Sequence, residues 1–307
     1  MERIQVFFPA PSGKFVDGNE LFIPIEADFV KRKYLNLQYA PGNDRRQLDI
    51  YLPNGGNAPY PVIIDIFGGG WYFGNKSSFK MEPALNLLKR GFAVVSPNYT
   101  LSKDAKYPLP IHEIKAAIRY IKAKGEQYGL DTKRIALMGE SAGAHIAALC
   151  ATSASFPVLE DLSMGNAEYD STVQAVIAVY CPSDLSMFNA QFKAMNVTPE
   201  FEDNDGPDSF LGVLFGRKSL WEIKEEVDKV NPIRYVSEKC PPFLFLHGSR
   251  DRQVPILQSL NLAAEIIQKA GPDKAEHHII EGAEHNIFDF ETDEIYDIEE
   301  KFLRKHL

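Results

Sequence analysis

The sequence feature that most constrains the fold is a series of short, continuous apolar runs. They occupy residues 61–67, 92–97, 134–138, 173–180 and 243–247. Continuous apolar runs of this length are typical of parallel strands that are covered on both faces, whereas strands with one wet face alternate polar and apolar residues. The runs therefore predict a buried, mostly parallel sheet.

Amphipathic segments separate the apolar runs. One helical face is predicted by Ile111, Ile114, Ile118 and Ile121, which precede a stop at Gly125, and the same spacing recurs in residues 257–267 and 295–303. Residues 34–52 alternate as two antiparallel strands would, and residues 277–281 form a last strand. We expect an α/β fold with a doubly wound sheet of about eight strands and one antiparallel edge.

Length and composition agree with one globular domain over residues 1–307. The hydrophobic content of 45% supports a large core, and we find no internal repeat. A net charge of −9 without a basic cluster argues against nucleic acid or a membrane as a partner, so a small-molecule substrate is expected. The sequence also allows a homo-oligomer.

The ends and the cysteines point to a cytoplasmic protein without a cofactor. Pro9 and Pro11 break the short apolar patch of the N-terminus, which therefore resembles neither a signal peptide nor a spanning helix. The cysteines, Cys150, Cys181 and Cys240, are widely spaced and odd in number, so buried free thiols are expected. No histidine or cysteine pattern predicts a metal site.

One long segment, residues 184–230, departs from the strand and helix alternation. It contains six aromatic residues and the acidic stretch EFEDNDGPD. A connection of this length is seldom a bare loop. We interpret it as a helical lid over the carboxyl ends of the strands, where open α/β sheets bind ligands; a surface excursion without substrate contact is the alternative.

A G-x-S-x-G pentapeptide, Gly139 to Gly143, lies between the run at 134–138 and an Ala-rich, helix-favouring segment. A serine on a sharp turn from strand to helix is exposed but strained, and it needs small neighbours. The context therefore predicts Ser141 as a nucleophile rather than an ordinary serine in a glycine-bounded turn.

A nucleophilic serine needs a base, and the chain has seven histidines. His285 follows the last predicted strand and is expected at the same rim as Ser141. His145 is the rival, but one helical turn beyond the serine it should face the packing layer. We expect His247 to be a packed, hydrogen-bonded histidine, and His277 and His278 point to opposite faces of a strand.

The carboxylate that orients the base is predicted to be Asp251, which directly follows the run at 243–247. Asp184 is the fallback, whereas Asp289 and Glu284 are expected to face water. Residues 67–71 (FGGGW) follow the first central run, and their glycines let backbone N–H groups converge on an anion. With the N–H of Ala142 they form a candidate oxyanion hole, in which each donor contributes about 3 kcal/mol.

With these residues the chain resembles the α/β-hydrolase carboxylesterases that carry an HGGGW-type loop, which are the feruloyl-esterase-like and hormone-sensitive-lipase-like enzymes. The resemblance runs from about residue 34 onward and depends on six motifs. These are GGGWYFGNK, NYTL with YPLPIHEIKAAIRYI, GESAGAH, NPIRYV, PPFLFLHGSRDRQVP and EGAEH.

The resemblance implies an α/β-hydrolase fold, a triad of Ser141, Asp251 and His285, and oxyanion donors at Gly69, Gly70 and Ala142. Phe67 stands where the family has a histidine that steadies the loop. We expect a serine carboxylesterase acting on small acyl or aryl esters, with a pocket that includes Trp71, Tyr72, Phe188 and Phe215. A feruloyl or acetyl-xylan esterase, an arylformamidase or other amide hydrolase, and a non-catalytic binding protein are the alternatives.

Overall fold

The strands form one nine-stranded, mostly parallel sheet in a computed structural model that describes residues 4–9 and 24–307. The strands are β1 (Ile4–Pro9), β2 (Arg32–Gln38), β3 (Gln47–Leu52), β4 (Tyr60–Ile66), β5 (Ala93–Pro97), β6 (Leu130–Glu140), β7 (Ala175–Val179), β8 (Phe243–Gly248) and β9 (Ala275–Glu281). Their order across the sheet is β1-β9-β8-β7-β6-β4-β5-β3-β2.

The predicted antiparallel edge is confirmed. β3 pairs antiparallel with both β2 and β5, and the remaining neighbours are parallel. This is the arrangement of an α/β-hydrolase. The alternation of polar and apolar residues predicted that one face of β2 is buried, but Leu35 is 47% exposed at the edge of the sheet.

Helices cover both faces of the sheet. They are α1 (Glu82–Lys89), α2 (Leu109–Lys124), α3 (Ala142–Thr152), α4 (Phe188–Met195), α5 (Phe210–Leu214), α6 (Lys224–Asp228), α7 (Leu257–Ala270) and α8 (Asp293–His306). Neighbouring strand residues enter separate cores: Leu137 packs in one with α2 and α3, and Met138 in the other with α1 and α8. Two-sided burial explains the continuous apolar runs.

The ninth strand, β1, was not predicted. It pairs in parallel with β9, Ile4 lying opposite His277 and Val6 opposite Ile279. Its partner is more than 260 residues away in the sequence, and a pairing over that distance leaves no local pattern. The other N-terminal residues used to judge a leader sequence, 1–3 and 10–23, lie outside the described residues.

The segment between β7 and β8 is built from α4, α5, α6 and several turns of 3₁₀-helix. It is attached to the loop before α2, where the Tyr107 N–H donates to the Leu214 carbonyl over 3.1 Å. Within the part of the chain that the structure describes, no helix is long and apolar enough to cross a membrane.

Candidate active site

Ser141 lies on the turn between β6 and α3 with φ 54° and ψ −120°. This left-handed region is strained for a residue with a side chain. The turn is held because the Ser141 N–H donates to the Val179 carbonyl over 3.0 Å, and the Ser141 carbonyl accepts from the His145 N–H over 3.0 Å. The turn therefore presents the hydroxyl at the carboxyl end of the central strand.

The glycines on either side of Ser141 are required by close backbone contacts. A Cβ on Gly139 would lie 2.6 Å from the Gly143 carbonyl carbon, and a Cβ on Gly143 would overlap the Ile66 carbonyl oxygen. Neither space admits a methyl group. The sharp turn depends on these two positions being glycine.

The structure brings Ser141, His285 and Asp251 together. His285 Nε2 lies 2.9 Å from Ser141 Oγ, and His285 Nδ1 lies 2.8 Å from Asp251 Oδ2. The three residues follow β6, β9 and β8, whose carboxyl ends meet at one edge of the sheet. The loops of Asp251 and His285 are also joined by the Arg250 N–H, which donates to the Ala283 carbonyl over 2.9 Å.

Asp251 is buried and fully hydrogen-bonded. Its Oδ1 accepts from the Gln253 and Val254 N–H groups over 2.8 and 2.9 Å, and His247 Nε2 lies 3.3 Å from Oδ2. Burial alone would raise the pKa of Asp251, but the charge of His285 and the hydrogen bond from His247 outweigh it and hold that pKa well below its usual value. The carboxylate therefore stays ionised beside His285.

His145, the rival base, is hydrogen-bonded to groups other than the serine hydroxyl. It is fully buried, its Nε2 lies 2.9 Å from the Val230 carbonyl and its Nδ1 accepts from Trp71 Nε1 over 3.3 Å. Burial lowers the pKa of His145 to about 4, so the ring is neutral. His247 is the packed, hydrogen-bonded histidine that was expected, with Nδ1 2.7 Å from Ser259 Oγ.

The other candidate carboxylates, Asp184 and Asp289, are hydrogen-bonded to groups other than His285. Asp184 accepts from the Ser186 N–H and so caps the 3₁₀ turn at Leu185–Met187. Asp289 is only 5% exposed, so the expectation that it faces water is wrong. Its Oδ2 accepts from the Glu284 N–H over 3.0 Å and thereby braces the His285 loop.

The glycine loop after β4 forms a tight turn beside Ser141. The backbone has φ +116° at Gly69, +60° at Gly70 and +58° at Trp71. The Gly69 carbonyl accepts from the Phe73 N–H over 2.9 Å. Ala142 is the first residue of α3, so its N–H has no acceptor within the helix.

A cavity of about 330 Å³ opens at the carboxyl edge of the sheet and includes Ser141, His285, Gly69 and Gly70 in its wall. Much of the rest is aromatic, and the wall also carries Lys80, Asp203, Asn204, Gln253 and Asn286. The aromatic residues are Trp71, Phe73, Phe79, Tyr180, Phe188, Phe201 and Phe210. The cavity is therefore apolar with a few polar groups, as small-molecule sites are.

Two of the four predicted pocket residues line this cavity, namely Trp71 and Phe188. Tyr72 and Phe215 do not lie among its wall residues, which corrects that expectation. Tyr72 is half-buried and packs against the cavity residue Phe73 at 4.8 Å between ring centroids. Phe215 is buried against Tyr107, at 6.2 Å between rings.

Sequence reasoning missed several residues of the site. Among them, Lys80 and Tyr180 line the cavity, and Glu140 lies behind the glycine loop. Tyr180 has a left-handed φ of 37°, and its ring centroid is 4.3 Å from that of His285. Of these residues, Glu140 could have been recognised from the sequence, because a charged residue at the end of a buried strand needs a partner.

The described residues contain no group of three or more His, Cys, Asp and Glu side chains that could hold a metal ion. The acidic stretch EFEDNDGPD, which contributes Asp203 to the cavity wall, forms a local turn. Asp203 Oδ1 accepts from the Asp205 and Gly206 N–H groups over 3.1 and 2.7 Å.

Sequence comparison finds a family model and several named relatives. The BD-FAE family model matches residues 48–266. Esterase LipQ of Mycobacterium tuberculosis is 31% identical over 254 residues, which are 81% of this chain and 56% of that protein. A probable isoprenylcysteine alpha-carbonyl methylesterase of Arabidopsis thaliana, ICMEL1, is 28% identical over 78% of this chain and 48% of its own length. The chain thus spans about half the length of these two relatives.

Solved structures share the fold. A truncated form of carbohydrate esterase from gut microbiota matches with a TM-score of 0.79 and 28% identity, covering 92% of this chain and 99% of that chain. A bifunctional GH43-CE of Bacteroides eggerthii matches with a TM-score of 0.77 and 28% identity, covering 92% of this chain and 39% of that one. Esterase 2 of Thermogutta terrifontis, at 21% identity and a TM-score of 0.68, shows the fold alone.

Proposed function

Because this chain belongs to the BD-FAE family of α/β-hydrolases, we propose that it is a serine carboxylesterase that works through an acyl-enzyme. The observation that carries the proposal is the continuous hydrogen-bonded line from Ser141 Oγ through His285 to Asp251, with distances of 2.9 and 2.8 Å. The names of the relatives support it, since LipQ is called an esterase.

In the proposed first half-reaction, Ser141 Oγ attacks the ester carbonyl carbon while His285 Nε2 takes the hydroxyl proton. Asp251 holds the imidazole in the tautomer with hydrogen on Nδ1 and stabilises the imidazolium that forms. When the tetrahedral intermediate collapses, its carbon–oxygen bond to the alcohol breaks. His285 gives the proton to the departing alcohol, and the acyl group stays on Ser141.

The second half-reaction repeats these steps with water. His285 takes a proton from the water, whose oxygen attacks the acyl carbon, and the carboxylic acid leaves as the proton returns to Ser141 Oγ. In both halves the carbonyl oxygen becomes negative. We assign its stabilisation to the N–H groups of Gly69, Gly70 and Ala142, which are fixed dipoles beside the aromatic cavity.

The substrate that we propose is a small acyl or aryl ester. A cavity of about 330 Å³ suits a ligand of modest size, and its aromatic wall suits an apolar acyl group or an aromatic ring. We assign the lid role to residues 184–230, which contribute Phe188, Phe201 and Phe210 to that wall.

A second candidate is an ester carried by a carbohydrate, such as the feruloyl or acetyl groups of xylan. Two structures at 28% identity bear carbohydrate-esterase names, and Asp203, Asn204 and Gln253 give the cavity wall polar groups for sugar hydroxyls. An amide-directed hydrolase would use the same machinery.

A substrate panel tests these proposals. It comprises p-nitrophenyl esters of increasing acyl length, methyl ferulate, acetylated xylo-oligosaccharide and N-formylkynurenine, each measured as kcat/KM with wild type and Ser141→Ala. We expect turnover of short p-nitrophenyl esters that Ser141→Ala abolishes. A preference of about a hundredfold for the xylo-oligosaccharide would select the carbohydrate ester, and turnover of N-formylkynurenine alone would overturn the ester assignment.

A further inference from the structure

The two side chains that flank the nucleophile turn also hold the glycine loop, one at each end. Glu140 is the residue before Ser141, and His145 lies one helical turn after it. Phe67, which stands where the family has a histidine that steadies the loop, stacks its ring on Tyr99 at 4.4 Å between centroids. An aromatic hydrocarbon ring donates no hydrogen bond, so the loop must be held by other groups.

Glu140 contacts the start of the loop. The Gly68 N–H donates to Glu140 Oε1. Both carboxylate oxygens would lie 2.5 Å from a Cβ at Gly68, so the carboxylate lies flat against the glycine. A hydrogen bond to an ionised acceptor is roughly twice as strong as a neutral one. Glu140 therefore fixes where the chain enters the loop.

Lys80 fixes Glu140 in turn. Its Nζ donates to Glu140 Oε1 over 2.9 Å, and the two side chains are only 11% and 6% exposed. A carboxylate this buried is unfavourable without a cation, and the pair restrains its orientation. Lys80 also lines the cavity, so the pair lies directly beside the space where substrate would bind.

His145 contacts the end of the loop. Its Nδ1 accepts the indole hydrogen of Trp71 over 3.3 Å, and the two rings meet edge to face at 5.3 Å. The Trp71 carbonyl accepts from the Ser102 N–H over 2.9 Å. Gly69 and Gly70 thus lie between two residues, Gly68 and Trp71, that are each held by a hydrogen bond.

We propose that Glu140, held by Lys80, and His145 are positioning residues that align the oxyanion-binding N–H groups of Gly69 and Gly70 with Ser141. This inference rests on the proposed esterase function. Its physical basis is that Glu140 and His145 flank Ser141 on the turn between β6 and α3, so the same short segment carries the nucleophile and both contacts to the glycine loop. Donors that are held in place before the reaction stabilise charge without reorganising during it.

The test separates positioning from folding. Glu140→Met with Lys80→Met removes the acceptor and the cation together, so no unpaired buried charge remains. Glu140→Gln with Lys80→Met keeps an acceptor for the Gly68 N–H. Trp71→Phe removes the indole hydrogen at the other anchor. Lys122→Met is the matched control, since Lys122 is 13% exposed and pairs with Asp170, and neither residue lines the cavity.

For each variant, kcat and KM with p-nitrophenyl acetate are measured together with the Ki of a trifluoromethyl ketone, which mimics the tetrahedral intermediate. We expect the double Met variant to lose about tenfold in kcat and about tenfold in affinity for the ketone, with KM within about twofold. The variant that combines Glu140→Gln with Lys80→Met should recover most of both losses. Trp71→Phe should lose about threefold, and Lys122→Met should match wild type.

The inference fails if the double Met variant folds and keeps kcat and Ki within about twofold of Lys122→Met, or if the variant with Glu140→Gln recovers nothing. These results leave the esterase proposal standing, because wild type and Lys122→Met still react with a fluorophosphonate. If wild type does not react with that probe, the proposed function itself is overturned.

Discussion

His285 Nε2 lies 2.9 Å from Ser141 Oγ, although 144 residues of sequence separate the two. The contact arises because β6 and β9 end at the same edge of the sheet, and Ser141 and the His285 loop directly follow those strands. A proton moves readily over such a distance. The proposed chemistry depends on this contact and on the Asp251 carboxylate that is hydrogen-bonded to His285 Nδ1.

Asp251→Asn should lower kcat for p-nitrophenyl acetate by about 10³ to 10⁴-fold with little change in KM, because the amide no longer selects the imidazole tautomer or stabilises its charge. The matched control is Asp184→Asn, which alters an aspartate that caps a turn and does not contact His285. A kcat loss of similar size in both variants would show that Asp251 has no special role.

Gly143→Ala should destabilise the protein by about 3 kcal/mol or more, because the new methyl group would overlap the Ile66 carbonyl oxygen. Urea unfolding monitored by circular dichroism measures the change. Gly55→Ala serves as the control, since no atom lies within 4 Å of a Cβ at that position. Equal stability of the two variants would contradict the close packing described for the turn that carries Ser141.

His145 should make folding sensitive to acid. Burial lowers its pKa to about 4, whereas the unfolded chain takes up the proton near pH 6.5. Between these pH values the unfolded state binds more protons, so stability is full above pH 6.5 and falls as pH drops, by about 3 kcal/mol at pH 4. Urea unfolding at several pH values should show a shallower pH slope in His145→Asn. An unchanged slope would rule out His145 as the source.

Phe210→Ala should widen the cavity beside the glycine loop, because a Cβ at Gly70 would lie 2.7 Å from the Phe210 ring. We expect the ratio of kcat/KM for the octanoate ester to that for the acetate ester to rise about tenfold. Phe215→Ala is the comparison, since Phe215 is buried against Tyr107 outside the cavity wall. The reverse pattern would place the acyl group near Phe215.

The sequence allowed Ser141, Asp251 and His285 to be grouped at one edge of the sheet because each of them follows a strand that the sequence predicts. The partner of Glu140 was not predictable, since Lys80 and Glu140 are 60 residues apart and no periodicity links them. The left-handed backbone at Trp71 was not predictable either, because sequence spacing does not report positive φ values at residues other than glycine. Local patterns thus indicated the strand ends, and long-range packing decided what surrounds them.

The most direct test of the central claim is labelling by a fluorophosphonate probe, followed by mass spectrometry of the modified peptide and parallel assay of p-nitrophenyl acetate turnover. We predict one adduct on Ser141 in wild type, and loss of both labelling and turnover in a Ser141→Ala protein that keeps its circular dichroism spectrum. Turnover that persists in Ser141→Ala, or an adduct on a different residue, would contradict the account.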